Sequence, residues 1–128
     1  MACRLRIAGI MSRDANKLTV FKLADGLVLD VYRSTKSFPA EERYGLQAQI
    51  RRAAVSAPSN IVEGCARRST NEYLNFLNIA AGSVFEARYL LDLSFRLGFL
   101  APQAHATLIA RYTHLAKSMV RLIESLGG

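Results

Sequence analysis

The chain has 128 residues, 51% of them hydrophobic, which suffices for one domain with its own buried core. Its 17 lysines and arginines exceed its 10 acids and give a net charge of +7. The excess is spread over both halves of the chain, so there is no basic tail. Such a charge favours polyanions or acidic proteins as partners. The two cysteines, Cys3 and Cys65, exclude a dense disulfide framework and a cysteine-based zinc site, and they favour reduced thiols in a cytoplasmic protein.

The first residues show no helical pattern. Arg4 and Arg6 precede an apolar run that ends at Met11, too short for a signal sequence. No other run approaches the length of a membrane span, so no membrane contact is expected. We expect residues 1–14 to form a loosely ordered arm and residues 15–128 to form one helical bundle.

Two helices are predicted in the first half of the chain. Helix one should end near Lys36, and its apolar positions follow the three-and-four spacing of one helical face: Val20, Ala24, Leu27 and Val31. Helix two is expected to start in the turn at residues 37–42, where Pro39 suits a first helical turn and Glu41 complements the helix dipole. It should run to about Arg67.

Two more helices are predicted in the second half. Ser69 and Glu72 form a capping-box pattern at the start of helix three. Gly98 marks its end, Pro102 marks the start of helix four, and helix four should continue to the two glycines at the C-terminus. We therefore predict an all-α fold, an antiparallel up-and-down four-helix bundle.

Some apolar residues exceed what one bundle can bury. On helix three, Ile79 and Phe85 lie beside the main apolar stripe, and on helix two, Tyr44 and Val55 lie outside it. A second contact, made by another subunit, would cover them. The expectation is a homo-oligomer, and the alternative is a monomer with scattered surface apolar residues.

The middle of helix two contains the unusual run SAPSNIVEG, residues 56–64. Small residues here and at residues 80–83 predict a close approach of helices two and three, and Pro58 predicts a kink. Asn60 and Glu63, with Glu86 of helix three, are expected to belong to a structural polar network. The alternative is a ligand or phosphate site at the kink, built with nearby arginines.

Several phrases in order resemble one known family. They are FPAEERYGL (residues 38–46), QIRRAAVS (49–56), SNIVEG (59–64) and FLNIAAGSVFE (76–86), and the similarity begins near Lys17. With these phrases the chain is similar to the four-helix-bundle proteins of the bacterial 23S rRNA intervening-sequence family, and it also resembles the accessory proteins of diversity-generating retroelements. The resemblance implies a ring of bundles, a homopentamer, and partners among nucleic acids and nucleic-acid-processing proteins.

Catalytic patterns are missing from the sequence. Neither His105 nor His114 has a glutamate three residues before it, as a di-iron bundle requires, and no phosphate loop or serine elbow appears. Glu63 and Glu86 could pair as carboxylates, but no histidine or metal-ligand pattern accompanies them. The sequence predicts a non-enzyme without a cofactor or metal.

The leading hypothesis is binding of structured RNA or DNA through a basic surface, repeated around an oligomer. The candidate residues are Arg51, Arg52, Arg67, Arg68, Arg111, Lys117 and Arg121. The rival hypothesis is a protein-interaction scaffold whose basic residues are used at subunit contacts. A continuous basic surface would favour the first hypothesis, and arginines paired with acidic residues at subunit contacts would favour the second.

Overall fold

A computed structural model of the chain describes residues 6–7, 10–11, 13–15 and 18–128. Four α-helices account for most of this part, so the fold is all-α, as the sequence predicts. They are α1 (Thr19–Thr35), α2 (Leu46–Cys65), α3 (Thr70–Arg96) and α4 (Pro102–Ser125). A single turn of 3₁₀ helix, Ala40–Glu42, precedes α2.

Two very short strands lie near the N-terminus. The strands β1 (Arg6–Ile7) and β2 (Ile10–Met11) pair in antiparallel fashion. The sequence does not predict them because two residues are too few to show alternation. Most of the arm expected over residues 1–14 lies outside the described residues. At its end, Arg13 donates its backbone N–H to the Cys65 carbonyl over 2.9 Å, and its guanidinium lies 4.1 Å from the ring centre of Tyr73.

The four helices pack together in a closed cycle of neighbours. Within the described residues the backbone of α1 lies close to those of α2 and α4, and the backbone of α3 lies close to those of α2 and α4, while no Cα atoms of the two diagonal pairs come within 8 Å. Each helix therefore has an inner face toward the core and an outer face toward solvent. The groove between α1 and α2 and the groove between α3 and α4 consequently lie on opposite sides of the bundle.

The pair α2 and α3 makes the most extensive contact, and small residues bring the two helices close. Ala53, Ala57 and Ala80 are buried in the core. A Cβ atom on Gly64 would lie 3.0 Å from the Phe76 Cβ atom, so this glycine marks a close approach. The predicted close approach of the two helices is therefore present at Gly64, but the facing residues are Phe76 and Tyr73 and not the small residues 80–83. The prediction is wrong at Gly82, which is exposed, since a Cβ atom there would meet no heavy atom within 4 Å.

The start of helix two differs from the prediction. The α-helix begins at Leu46, after the 3₁₀ turn, and not within residues 37–42. The reason is a local cap: the Glu42 carboxylate accepts a hydrogen bond from the Leu46 N–H over 3.0 Å. Glu42 is thereby the side-chain cap of α2, and Tyr44 belongs to the preceding turn. The helix is continuous through Pro58, and the kink expected there stays a prediction.

The boundaries of α3 and α4 follow the predicted signals. The Ser69 hydroxyl accepts a hydrogen bond from the Glu72 N–H over 3.1 Å, which satisfies one free amide at the start of α3. Gly98 has φ of +83°, a conformation suited to glycine, immediately after the helix. Pro102 is the first residue of α4. Local chemistry therefore determines both ends of the connection between α3 and α4.

Candidate nucleic-acid interface

A basic concave surface lies between the end of α1 and the first half of α2. Two clefts of about 560 and 320 Å³ share Arg43, Gln47 and Arg51 in their walls. Arg52 extends the first cleft and Lys36 the second. No acidic residue lines either cleft. We call Lys36, Arg43, Arg51 and Arg52, with the two clefts, the basic cleft.

Arg51 is fixed in the basic cleft by the C-terminus of α1. Its Nε donates to the Thr35 hydroxyl over 2.9 Å, and its Nη2 donates to the Tyr32 carbonyl over 3.2 Å. Gln47 donates to the Thr35 carbonyl over 2.7 Å. These donors satisfy groups that the last turn of a helix leaves unpaired, and the cation complements the negative end of the helix dipole. Arg51 thus stabilises the α1–α2 corner as well as contributing charge.

An aromatic ring lies beside these cations. The Arg51 guanidinium lies 4.4 Å from the ring centre of Tyr32, whose side chain remains 40% exposed. Arginine stacked on an aromatic ring keeps N–H groups free at its edge for an anion. A single tyrosine does not form an extended base-stacking platform. The cleft is therefore suited to phosphate groups more than to bases.

The structure brings only two of the seven predicted cations, Arg51 and Arg52, into the basic cleft. Sequence reasoning missed Lys36 and Arg43 because both lie in or beside a turn, outside any helical stripe. A signal was present in the sequence: both flank the short α1–α2 connection, and a short connection brings the ends of consecutive helices together. The other five candidates lie elsewhere on the bundle.

Arg67 and Arg68 follow the end of α2. Arg67 forms an ion pair with Glu63 over 3.3 Å, and its guanidinium lies 4.7 Å from the ring centre of Phe76. The Arg67 Nε atom is buried, and within the described residues it has no hydrogen-bond partner. Arg68 is exposed. Arg67 is therefore largely engaged in packing, and Arg68 remains open to solvent.

Arg111 connects α4 to α1 through an ion pair with Asp30. Asp30 also accepts a hydrogen bond from Arg33 over 3.1 Å. The hydrogen bond from Arg111, followed by the charges of both arginines, holds the pKa of the Asp30 carboxyl below its ordinary value despite partial burial. The charge of Arg111 is thus largely compensated inside one chain, which weakens its candidacy for binding a polyanion.

Lys117 and Arg121 lie on the opposite side of the bundle from the basic cleft. With Arg88 they surround a groove of about 430 Å³ between α3 and α4. Its remaining lining residues are Phe85, Thr113, Ala116 and Val120. We call this the α3/α4 groove. Its apolar floor distinguishes it from the basic cleft.

Asn60 lies in a chain of hydrogen bonds that links α2 to α3. Its amide donates to the Ser56 carbonyl over 2.8 Å and to the Ser56 hydroxyl over 3.1 Å. The hydroxyls of Ser56 and Ser83 lie 2.7 Å apart. Glu63, in contrast, pairs with Arg67, and Glu86 is exposed on α3. Of these three residues, only Asn60 is thus linked to the other helix, and the link is indirect, through the hydrogen bond between Ser56 and Ser83.

Replacing Asn60 with alanine is expected to lower the free energy of unfolding by about 1 kcal/mol, because it removes two hydrogen bonds at a half-buried position. The free energy of RNA binding should change by less than the free energy of unfolding. Thermal and urea denaturation would measure the first effect. Ser59→Ala, at an exposed position of the same helix, is the control. A melting temperature equal to that of the control would contradict this role for Asn60.

Two other polar features lie outside these surfaces. His105 Nε2 and the Asp92 carboxylate are 3.1 Å apart, and the His105 ring stacks on Phe95. Hydrogen bonding from His105, followed by that from Arg96, lowers the pKa of Asp92. Burial raises the pKa of the Tyr112 hydroxyl.

In the described part of the chain, no three potential metal ligands come together. No helix in this part is long and apolar enough to cross a membrane.

Comparisons with known proteins agree with this architecture. The family model for the 23S rRNA-intervening sequence protein matches residues 16–121. A crystal structure of a protein of unknown function from the S23 ribosomal protein family of Bacteroides thetaiotaomicron is similar in fold, with a TM-score of 0.76 and 22% sequence identity. The match covers 82% of this chain and 98% of that one. No curated protein matches the chain.

Proposed function

Because the chain belongs to the 23S rRNA-intervening sequence protein family, we propose that it is a non-enzymatic, oligomeric helical-bundle protein that binds structured RNA or DNA. One observation carries this proposal: four cations, Lys36, Arg43, Arg51 and Arg52, surround adjoining clefts whose walls contain no acid. A phosphate backbone is the common polyanion that matches such a surface.

Electrostatics supports a phosphate ligand in the basic cleft. Arg43 and Arg52 are exposed, so their guanidinium groups can form paired hydrogen bonds with phosphate oxygens. Arg51 is fixed by α1, which reduces the entropy lost when it contacts a ligand. Such contacts would be made to the phosphate backbone of the nucleic acid and not to the edges of its bases. The recognition is therefore expected to follow nucleic-acid shape and charge, with little dependence on sequence.

Assembly strengthens the proposal. We propose an antiparallel up-and-down bundle that associates into a homo-oligomeric ring, with five copies as the resemblance implies, in the cytoplasm. Each copy would present one basic cleft, so a long nucleic acid could contact several copies at once. Linked binding events raise overall affinity well beyond that of one site. A net charge of +7 per chain would add long-range attraction.

A second candidate function is a protein-interaction scaffold without nucleic-acid binding of its own. It is favoured by the internal use of Arg67 and Arg111, which pair with Glu63 and Asp30. A nucleic-acid-processing protein would then be the partner. The two functions differ in where the free cations lie, and the four cations of the basic cleft favour nucleic acid.

The experiment is fluorescence anisotropy of the purified protein with labelled structured RNA and duplex DNA, at low and near-physiological salt. Light scattering on the same sample gives the oligomeric state. We expect an oligomer whose affinity falls steeply as salt increases, because phosphate contacts release bound counterions. Absence of binding by a well-formed oligomer at low salt would overturn nucleic-acid binding and favour the scaffold.

A further inference from the structure

Tyr44 and the α3/α4 groove form complementary surfaces that cannot meet within one chain. We propose that the turn carrying Tyr44 docks into the α3/α4 groove of a second copy of the chain. This inference rests on the homo-oligomer proposed above and names the two surfaces that would form its subunit contact.

Tyr44 is the most exposed large apolar side chain among those that the structure describes. It is 89% exposed in the turn between the 3₁₀ helix and α2. An aromatic side chain buries a large area when it docks, and tyrosine is enriched at protein interfaces because its hydroxyl can remain hydrated. Nothing within the described residues covers Tyr44. It therefore has the properties of an anchor residue for a partner surface.

The α3/α4 groove offers a pocket of suitable size and polarity. Phe85 and Val120 are 52% and 41% exposed at its floor, and the volume of about 430 Å³ exceeds that of one tyrosine side chain. Arg88, at its edge, is held by a hydrogen bond of 2.9 Å from its Nε to the Thr113 hydroxyl. A tyrosine ring placed here would contact apolar carbon below and guanidinium groups at the rim.

The two surfaces differ in charge, because two acids, Glu41 and Glu42, outnumber the one cation, Arg43, in the turn that carries Tyr44, whereas the groove is lined by cations. Arg88, Lys117 and Arg121 surround the groove, and no acid lines it. Glu41 and Glu42, beside Tyr44, are the only adjacent pair of acids in the sequence. Glu41 is exposed, whereas Glu42 caps α2. Because each chain carries +7, a contact between copies requires such local complementarity.

Distance excludes docking within one chain. The hydrogen bond between Ser56 and Ser83 places these residues at the same level of α2 and α3. Leu46, the first residue of α2, is about 15 Å along the helix from Ser56, while Phe85 is only about 3 Å from Ser83. Tyr44 precedes Leu46, and no Cα atom of α2 comes within 8 Å of one in α4. The turn must therefore use the groove of another copy.

This contact also limits the type of assembly. The two surfaces are different parts of the chain, so the contact is heterologous and not two-fold. Repeating a heterologous contact gives a closed ring when the rotation closes, and a filament when it does not. The ring proposed above is the closed form of such a contact, in which every copy uses both surfaces.

Cysteine crosslinking tests the docking directly. One full-length variant carries Cys3→Ser and Glu41→Cys, and the other carries Cys3→Ser and Lys117→Cys; both leave Tyr44 and the groove floor unchanged. Cys65 is buried and is retained. With a short bis-maleimide, we expect dimers when the two variants are mixed in urea and refolded together before treatment, and only monomers when either is treated alone. Crosslinking of the Glu41→Cys variant to itself, or no crosslinking in an intact oligomer, would overturn the proposal.

A second measurement separates this proposal from nucleic-acid binding. Tyr44→Ser is expected to shift the light-scattering mass to that of a monomer, whereas Tyr44→Phe should retain the oligomer. The Tyr44→Ser monomer keeps the basic cleft and should still bind RNA, more weakly than the oligomer. A Tyr44→Ser protein that stays oligomeric would overturn the docking alone. An oligomer that dissociates as expected but never binds RNA would overturn the nucleic-acid function alone.

Discussion

Replacing Arg43 and Arg52 together with alanine is expected to weaken binding of structured RNA by about 30-fold near physiological salt, while thermal stability stays unchanged. Both side chains are exposed, so their loss leaves the helices intact. Each arginine that contacts phosphate contributes to counterion release, and the dependence of log affinity on log salt should become shallower by about two. Anisotropy titrations at several salt concentrations measure both quantities.

Lys22→Glu is the matched control for this pair. It changes the net charge by the same two units, at an exposed position of α1 that lines neither cleft. We expect the control to reduce affinity by no more than about threefold, through long-range charge alone. Arg51 is left unchanged because its removal would also disturb the end of α1. Equal losses in the double variant and the control would show that net charge, and not the basic cleft, determines binding.

Replacing Gly64 with leucine is expected to destabilise the protein by about 2–3 kcal/mol. The first carbon of any side chain here would lie 3.0 Å from the Phe76 Cβ atom and 3.2 Å from the Tyr73 Cδ1 atom. The remaining carbons must therefore push α2 and α3 apart. Leucine favours helix over glycine by somewhat less than about 1 kcal/mol, which offsets only part of this cost. Urea denaturation gives the free-energy difference.

Gly82→Leu provides the comparison in α3. A side chain at Gly82 meets no heavy atom within 4 Å of its first carbon, so the higher helix propensity of leucine stabilises α3 without a steric clash. We expect this variant to be as stable as the wild-type protein or more stable. A Gly64→Leu protein with the stability of Gly82→Leu would show that α2 and α3 do not require close approach at Gly64.

Local signals made most of the fold predictable from the sequence. Ser69, Gly98 and Pro102 mark helix ends by properties that act within a few residues, and the structure places all three as expected. The predicted start of α2 is wrong because Pro39 and Glu41 resemble a helix start, whereas the actual start depends on Glu42 capping Leu46. Residue composition alone does not show which of two neighbouring helix-start signals the chain uses.

The candidate interface was less predictable because it depends on contacts between distant residues. Arg111 has the helical spacing of a solvent-exposed cation, yet Asp30, 81 residues away, pairs with it. Lys36 and Arg43 became neighbours of Arg51 only through the path of the α1–α2 turn. Sequence periodicity assigns a residue to a face of its own helix, but it does not say which residue of another helix lies opposite.

Photo-crosslinking to structured RNA that contains 4-thiouridine, followed by mass-spectrometric mapping, tests the central claim most directly because it locates the bound nucleic acid on the wild-type protein. We predict crosslinks in the region from Tyr32 to Ser56, which includes the walls of both clefts. Crosslinks confined to residues 111–121, or their absence at saturating RNA, would contradict the assignment of the basic cleft as the nucleic-acid interface.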